Sequence, residues 1–456
     1  MIKRRQFIQS AFLASVGINA SGPMAAKRSP FGPLKADPRK ILDLPNGFNY
    51  TVISEQGRMM NDGLLTPAQA DGMAAFQNKN GNINLVCNHE NHPASFKNSA
   101  FGVDNQYLEK LNSELIYDLG EKVTPGTGGT TTIEYNPVTR KTIRQHMSLI
   151  GTEYNCAGGP TPWGSWLSCE ECFKAPGTTF ERETVVKREK RHGYIFEVQA
   201  LNPKVSIPIP IKDMGRFEHE AAAVDPFSGI IYLTEDKHRS LLYRFIPNKK
   251  NQLSLGGKLQ ALSFANKPSF DTRNWFDDSI KEGAWHEVKW IDLENVDPDE
   301  NDLRLRGFDK GAARFARGEG ICYAENSVFM TATIGGTERM GQVFEYRINR
   351  EFSKNSRGAA GHIKLLAESN NESLLQHADN IIMSPWNDLI ICEDTYNYCG
   401  LVGIEPNGSQ YIFADNTYTD SELCGVCFSQ NNSVMFVNIQ DRGLTLAIHG
   451  PWPNNQ

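Results

Sequence analysis

One unit of sequence recurs six times between Asp71 and Ile448. It consists of a small or acidic residue, an apolar strand, a turn, a second apolar strand ending in polar residues, and two further strands. β-branched and aromatic runs bounded by Gly, Asn, Asp and Pro replace helical periodicity throughout, so the chain is all-β. The copies open at Asp71, Cys156, Gly215, Arg317, His377 and Cys424. In the second copy the outer strands read as Tyr194–Val198 and Val205–Ile211. The sixth copy has only three strands, and the orphan strand Phe48–Ser54 supplies the fourth. Radial repetition with both termini in one blade leaves no long exposed edge, so the sequence predicts a six-bladed β-propeller closed by an N-terminal strand in the last blade. Three long insertions, Asn91–Gly128, Phe173–His192 and Lys267–Ala313, read as loops.

The repeats occupy one domain, residues 27–456. Residues 1–26 read as a twin-arginine signal peptide: Lys3-Arg4-Arg5-Gln6-Phe7-Ile8-Gln9 precedes an uncharged segment too short for a stable anchor. The expected partner of this segment is the twin-arginine export machinery, and the expected location is periplasmic or secreted, with no stable membrane anchor. Removal takes away three cations and no acid, leaving 44 − 53 = −9, a balance that argues against nucleic acid as a partner. Nine cysteines is an odd number, so at least one thiol is free or ligated. Cys169-x-x-Cys172 and Cys424-x-x-Cys427 read as incidental or as a local disulfide.

The polar residues at the repeat junctions should converge on one end of the central channel. They include Asp71, Asn88, Glu90, Cys156, Glu170, Glu171, Glu218, Glu220, Glu235, Asp236, Arg317, Glu319, Asp379, Asn380, Glu393, Asp394, Asn438 and Gln440. So many carboxylates repel unless cations neutralise them. Oxygen-rich positions suit Ca²⁺, whereas the thiolate of Cys156 selects a transition metal. Of Glu235 and Asp236, only one should face the channel, because adjacent strand residues alternate. His89 and His219 read more readily as hydrogen-bonded core histidines than as ligands, and Asn438 and Gln440 as groups that satisfy strand ends.

Five motifs carry a family resemblance: Asn88-His89-Glu90, Cys156-Ala157-Gly158-Gly159, Gly215-Arg216-Phe217 followed by His219-Glu220, Arg317 with Glu319, and Phe436-Val437-Asn438-Ile439-Gln440. The chain resembles the PhoX-type alkaline phosphatases over essentially its whole mature length. The resemblance implies a propeller holding a ferric iron pair and calcium ions that hydrolyses small phosphomonoesters. By motif match it implies that Cys156, Glu220 and Glu319 are iron-site ligands and that Arg317 binds phosphate, which makes Arg317 and Glu319 the expected catalytic residues. Glu90, Glu171 and Asp394 are candidate calcium ligands on repeat position alone. Arg317 lies two residues before Glu319, so strand alternation would bring both to one face. Two other readings fit the acids: a calcium-stabilised binding module without chemistry, which needs neither Cys156 nor Arg317, and a metal-dependent lactonase or esterase.

Overall fold

The computed structural model describes residues 29–350, 361–395 and 398–453; the signal-peptide segment lies outside them. Six strands form an inner ring: Ala70–Gln77, Asn155–Pro160, His219–Val224, Gly318–Ala324, Ala378–Met383 and Leu423–Phe428. Each packs against the next, and the sixth returns to the first. Each is also the first strand of an antiparallel sheet that runs outward in chain order, giving a β-propeller. Small residues allow the inner strands to approach closely: a Cβ at Gly72 would sit 2.5 Å from the Cα of Ala157.

The second strands, such as Ile83–His89 and Met435–Ile439, are buried on both faces, which is why they read as unbroken apolar runs. Between the sheets lie the apolar layers. One joins Leu167, Ile195, Phe217, Leu233, Tyr243 and Phe245, and another joins Leu85, Tyr135, Val434 and Phe436 across the sixth and first sheets.

The ring closes as the repeats predict. Asn49–Glu55 pairs antiparallel with Leu444–His449, with Ile448 opposite Tyr50. An aromatic cluster locks the closure: Phe48 meets Trp452 edge-on at 4.7 Å, Trp452 stacks on Trp386 at 5.5 Å, and Phe31 packs edge-on against Phe413. Such pairs contribute about 0.5–1.5 kcal/mol each beyond their buried area.

Three expectations need correction. Val205–Ile211 is not a strand, and only Pro210 bridges Phe196, because Pro208 and Pro210 lack the N–H groups a ladder needs. The insertion Lys267–Ala313 is not all loop: Trp285–Asp292 pairs with both Gly257–Phe264 and Gly361–Glu368, joining the third and fourth sheets, and Leu303–Asp309 is a short helix. Phe173–His192 contains a hairpin, Gly177–Glu181 with Thr184–Arg188. All nine cysteines are buried free thiols, so neither Cys-x-x-Cys pair is a disulfide.

Candidate metal centre

Each inner strand carries a bulge at the same place, where two ladder pairs are separated by two residues on the inner strand and one on its partner. The first residue in each bulge is Asp71, Cys156, Glu220, Glu319, Asp379 or Gly425. Five of the six can bind a cation. At the sixth position a Cβ would sit 2.3 Å from the carbonyl oxygen of Asp71, so no side chain fits, and the nearby acid is Glu422 instead.

A second set stands one residue beyond the end of each second strand: Glu90, Glu171, Asp236, Thr333, Asp394 and Gln440. A repeated backbone bond fixes it. The N–H groups of these six donate to the carbonyls of Gln69, Tyr154, Glu218, Arg317, His377 and Glu422, respectively. Four of the acceptors have left-handed backbone, including Arg317 at φ 54°. Non-glycine residues adopt this conformation at a cost of order 1 kcal/mol or more and concentrate at functional sites.

The two sets converge into three overlapping groups whose candidate ligand atoms lie within 4.8 Å of one another: Cys156 with Glu171 and Glu220, Glu220 with Glu319 and Asp379, and Asp379 with Asp394 and Glu422. Glu220 and Asp379 are shared, so the groups form one continuous line. Burial is deep at Cys156, Glu220 and Glu319 and declines to the exposed Asp394. Glu90 stands beside this line, accepting from Gln440 Nε2 at 2.9 Å, while the same amide nitrogen donates to Asp71 at 3.0 Å.

The electrostatics call for cations. Burial, reinforced by neighbouring carboxylates, holds seven acids above their ordinary range: Asp71, Glu90, Glu171, Glu220, Glu319, Asp379 and Glu422. Glu90 and Asp379 are each pushed up to about 7. Burial and the charges of Glu220 and Glu171 likewise push the Cys156 thiol well up. Asp236 behaves oppositely: burial works to raise it, but the hydrogen bond and charge of Arg317 outweigh burial and hold it low. Burial thus favours the protonated forms of the seven raised acids and the Cys156 thiol; multivalent cations would ionise them and supply the missing charge. A soft thiolate beside carboxylates at one end, and carboxylates alone at the other, fit a transition metal grading into a hard cation.

Side chains from neighbouring sheets hold the bulges. Asn88 Nδ2 donates to the carbonyls of Cys156 (3.1 Å) and Ala157 (2.7 Å), while its Oδ1 accepts from Trp166 Nε1 and Ser168 Oγ, both at 2.8 Å. Thr234 donates to the Glu319 carbonyl, Thr331 to that of Asp379, and Asn438 to that of Asp71. Asn438 therefore does more than satisfy a strand end.

Several acids expected at the channel face away from it. Glu170 accepts from His192 Nδ1 at 2.6 Å, Glu235 from the Tyr243 hydroxyl at 2.7 Å, Glu393 from Gln376 N, and Glu218 from Asn301. In three of these cases the acid ends a second strand, and alternation gives the channel to the next residue. His89 and His219 are core histidines, hydrogen-bonded to Ala68 O and Gly215 O, and burial lowers both to about 4 and about 3. Arg317 reaches Glu319 by a route other than strand alternation, because it precedes the strand and a bulge follows it; its Nη2 still lies 3.1 Å from Glu319 Oε1. Glu422 is a mouth residue that the repeat pattern did not single out.

The chain belongs to the alkaline phosphatase PhoX family, whose model matches residues 29–443. Among solved structures it is similar to Pseudomonas fluorescens PhoX in complex with vanadate, described as a transition state analogue. That match has 16% identity, a TM-score of 0.68, and coverage of 90% of this chain and 96% of that one. A gluconolactonase from Xanthomonas campestris matches at 12% identity and a TM-score of 0.38, covering 92% of this chain and 98% of the other. No curated protein matches the chain by sequence. Family membership makes this chain a phosphatase.

Proposed function

We propose that this PhoX-family chain hydrolyses small phosphomonoesters at a metal cluster held in the channel mouth. The observation that carries the reading is the unbroken line of three donor groups, with Arg317 standing beside Glu319 in the middle group. Cys156, Glu220 and Glu319 would hold iron. Glu171 and Asp379 complete the first two groups, and Asp394 and Glu422, with oxygen donors only, suit calcium. Glu90 contributes charge beside the line and is the remaining calcium candidate. When bound, the metals neutralise the phosphoryl charge and act as Lewis acids.

The chain's own residues do the rest. Arg317 engages Asp236 through Nε and Nη2, which leaves Nη1 without a partner among the described residues, and its side chain is 32% exposed. A guanidinium fixed in this way presents preorganised donors to phosphate oxygens without reorganisation during reaction. Asn88, Thr234, Thr331 and Asn438 hold the ligand-bearing backbone in place. Thr419, Ser421, Gln440 and Arg442 line a polar cavity of about 700 Å³ beside Asp394 and Glu422. Residues 1–26 serve as a twin-arginine signal, and residues 27–456 work in the periplasm or outside the cell; no helix among the described residues is long and apolar enough to cross a membrane.

The test is hydrolysis of para-nitrophenyl phosphate by protein purified with its metals, before and after chelation. Activity that disappears with the metals and returns when they are restored supports the reading. Activity indifferent to metal removal contradicts it.

A further inference from the structure

We infer that Arg182 is a second substrate-positioning residue, which selects phosphomonoesters whose leaving group carries an additional anionic group. The inference rests on the phosphatase reading above and concerns its substrate class.

Arg182 lies in the hairpin of the second insertion. Glu181 pairs with Thr184, so Arg182 and Glu183 alone form the turn, and both have left-handed backbone, at φ 46° and 62°. Two-residue turns of this kind favour Asn-Gly or Asp-Gly, since other residues are strained there. Arg-Glu is a poor conformational choice, which directs attention to what the side chains do.

The hairpin is held rigidly. Arg188, buried to 1% exposure, donates through Nε to Glu153 Oε1 at 2.8 Å and through Nη1 to Glu181 Oε1 at 2.6 Å. Glu181 Oε2 also accepts from Lys174 Nζ and His92 Nε2, each at 2.9 Å. His92 comes two residues after Glu90 and meets the Tyr154 ring edge-on at 5.3 Å. Tyr154 is the counterpart in the second repeat of Arg317 in the fourth. The turn is thus fixed to the mouth on the side of the first and second sheets, while Arg317 approaches between the third and fourth.

Arg182 itself is exposed and makes no side-chain hydrogen bond or ion pair among the described residues, while the adjacent Glu181 ties its backbone to His92, two residues after Glu90. A cation held at the rim, outside the buried donor line, meets the leaving group rather than the transferred phosphoryl group. A carboxylate or second phosphate there gains a charge-assisted hydrogen bond, which a neutral leaving group cannot accept in the same way.

The experiment compares para-nitrophenyl phosphate with 4-carboxyphenyl phosphate in wild type, Arg182→Gln, Arg182→Lys and, as a control, Glu183→Gln. For Arg182→Gln the KM of the carboxylated substrate should rise roughly five- to tenfold with kcat nearly unchanged, while that of the nitrophenyl ester moves less than about twofold. Arg182→Lys should recover part of the loss, and Glu183→Gln should show no selective rise. Equal changes for both esters, or none, would overturn the role of Arg182 and leave the phosphatase reading intact. A metal-loaded wild type that cleaves neither ester would instead overturn the phosphatase reading, and this inference with it.

Discussion

Arg317 holds Asp236 in a fork, Nε to Oδ1 at 2.6 Å and Nη2 to Oδ2 at 2.7 Å, while the same Nη2 stands 3.1 Å from Glu319. One guanidinium therefore joins the third and fourth sheets at the mouth and borders the donor line. Lysine keeps the charge but cannot form a fork. Arg317→Lys should lower kcat/KM for phosphomonoesters by roughly tenfold or more, equivalent to at least about 1.4 kcal/mol, with metal content unchanged. Loss of metal together with activity would make Arg317 a brace for Asp236 instead.

Cys156 is the only sulfur in the donor groups, buried to 4% exposure against Glu171 and Glu220. Cys156→Ser changes volume little but replaces a soft donor with a poor one. Iron content and activity should fall sharply while the circular dichroism spectrum stays that of the wild type. Full iron occupancy in the folded variant would remove Cys156 from the ligand set.

Much of this site is legible in the sequence because the repeat fixes it. The bulge residue and the residue just past the second strand recur at set positions, so Cys156, Glu220, Glu319, Glu171 and Asp394 can be read off by alignment. Glu422 escapes because the sixth bulge position is Gly425, where packing against Asp71 admits no side chain, and the acid comes from three residues earlier. Glu170, Glu235 and Glu393 mislead for the opposite reason. They end strands as polar residues, and only a one-residue offset separates those that face outward from those that face the mouth. The strand Trp285–Asp292 has alternating burial in part of its length but sits within an insertion, so only its pairing on both sides reveals that it joins two sheets.

The His192 imidazole provides a stability test away from the donor line. It is fully buried with Nδ1 2.6 Å from Glu170 and Nε2 3.1 Å from Asp118. Burial opposes its charge, but Glu170, Glu153 and Asp118 prevail and raise it to about 10. A raised histidine contributes stability that is complete below its unfolded value of about 6.5 and is lost as pH climbs through the folded value. Wild-type stability should therefore decline between about pH 7 and pH 10. His192→Gln should be less stable at pH 7 by about 3 kcal/mol and show a flatter decline in that window. Parallel melting curves across the window would contradict the pairing.

Metal removal should also reveal a pH dependence. Glu90 and Asp379 sit at about 7 in the folded chain, above their unfolded values near 4, so folding favours their protonated forms. Without metal, that contribution is present below about pH 4 and lost as pH rises through about 7. Metal-free protein should melt at a lower temperature at pH 8 than at pH 5.5, and restored cations should raise the melting temperature more at pH 8. A metal-free melting temperature that rises between these pH values would show that the mouth does not control the response.

The central claim is that the mouth binds metals through shared ligands, and Glu220, common to two of the three groups, tests it most directly. The decisive measurement is elemental analysis of folded wild type and Glu220→Gln, made on the same samples assayed for phosphomonoester hydrolysis. The account predicts iron and calcium in the wild type, with both iron and activity largely lost in the variant. Wild-type protein that is fully active without bound metal, or a Glu220→Gln variant with unchanged metal content and rate, would contradict it.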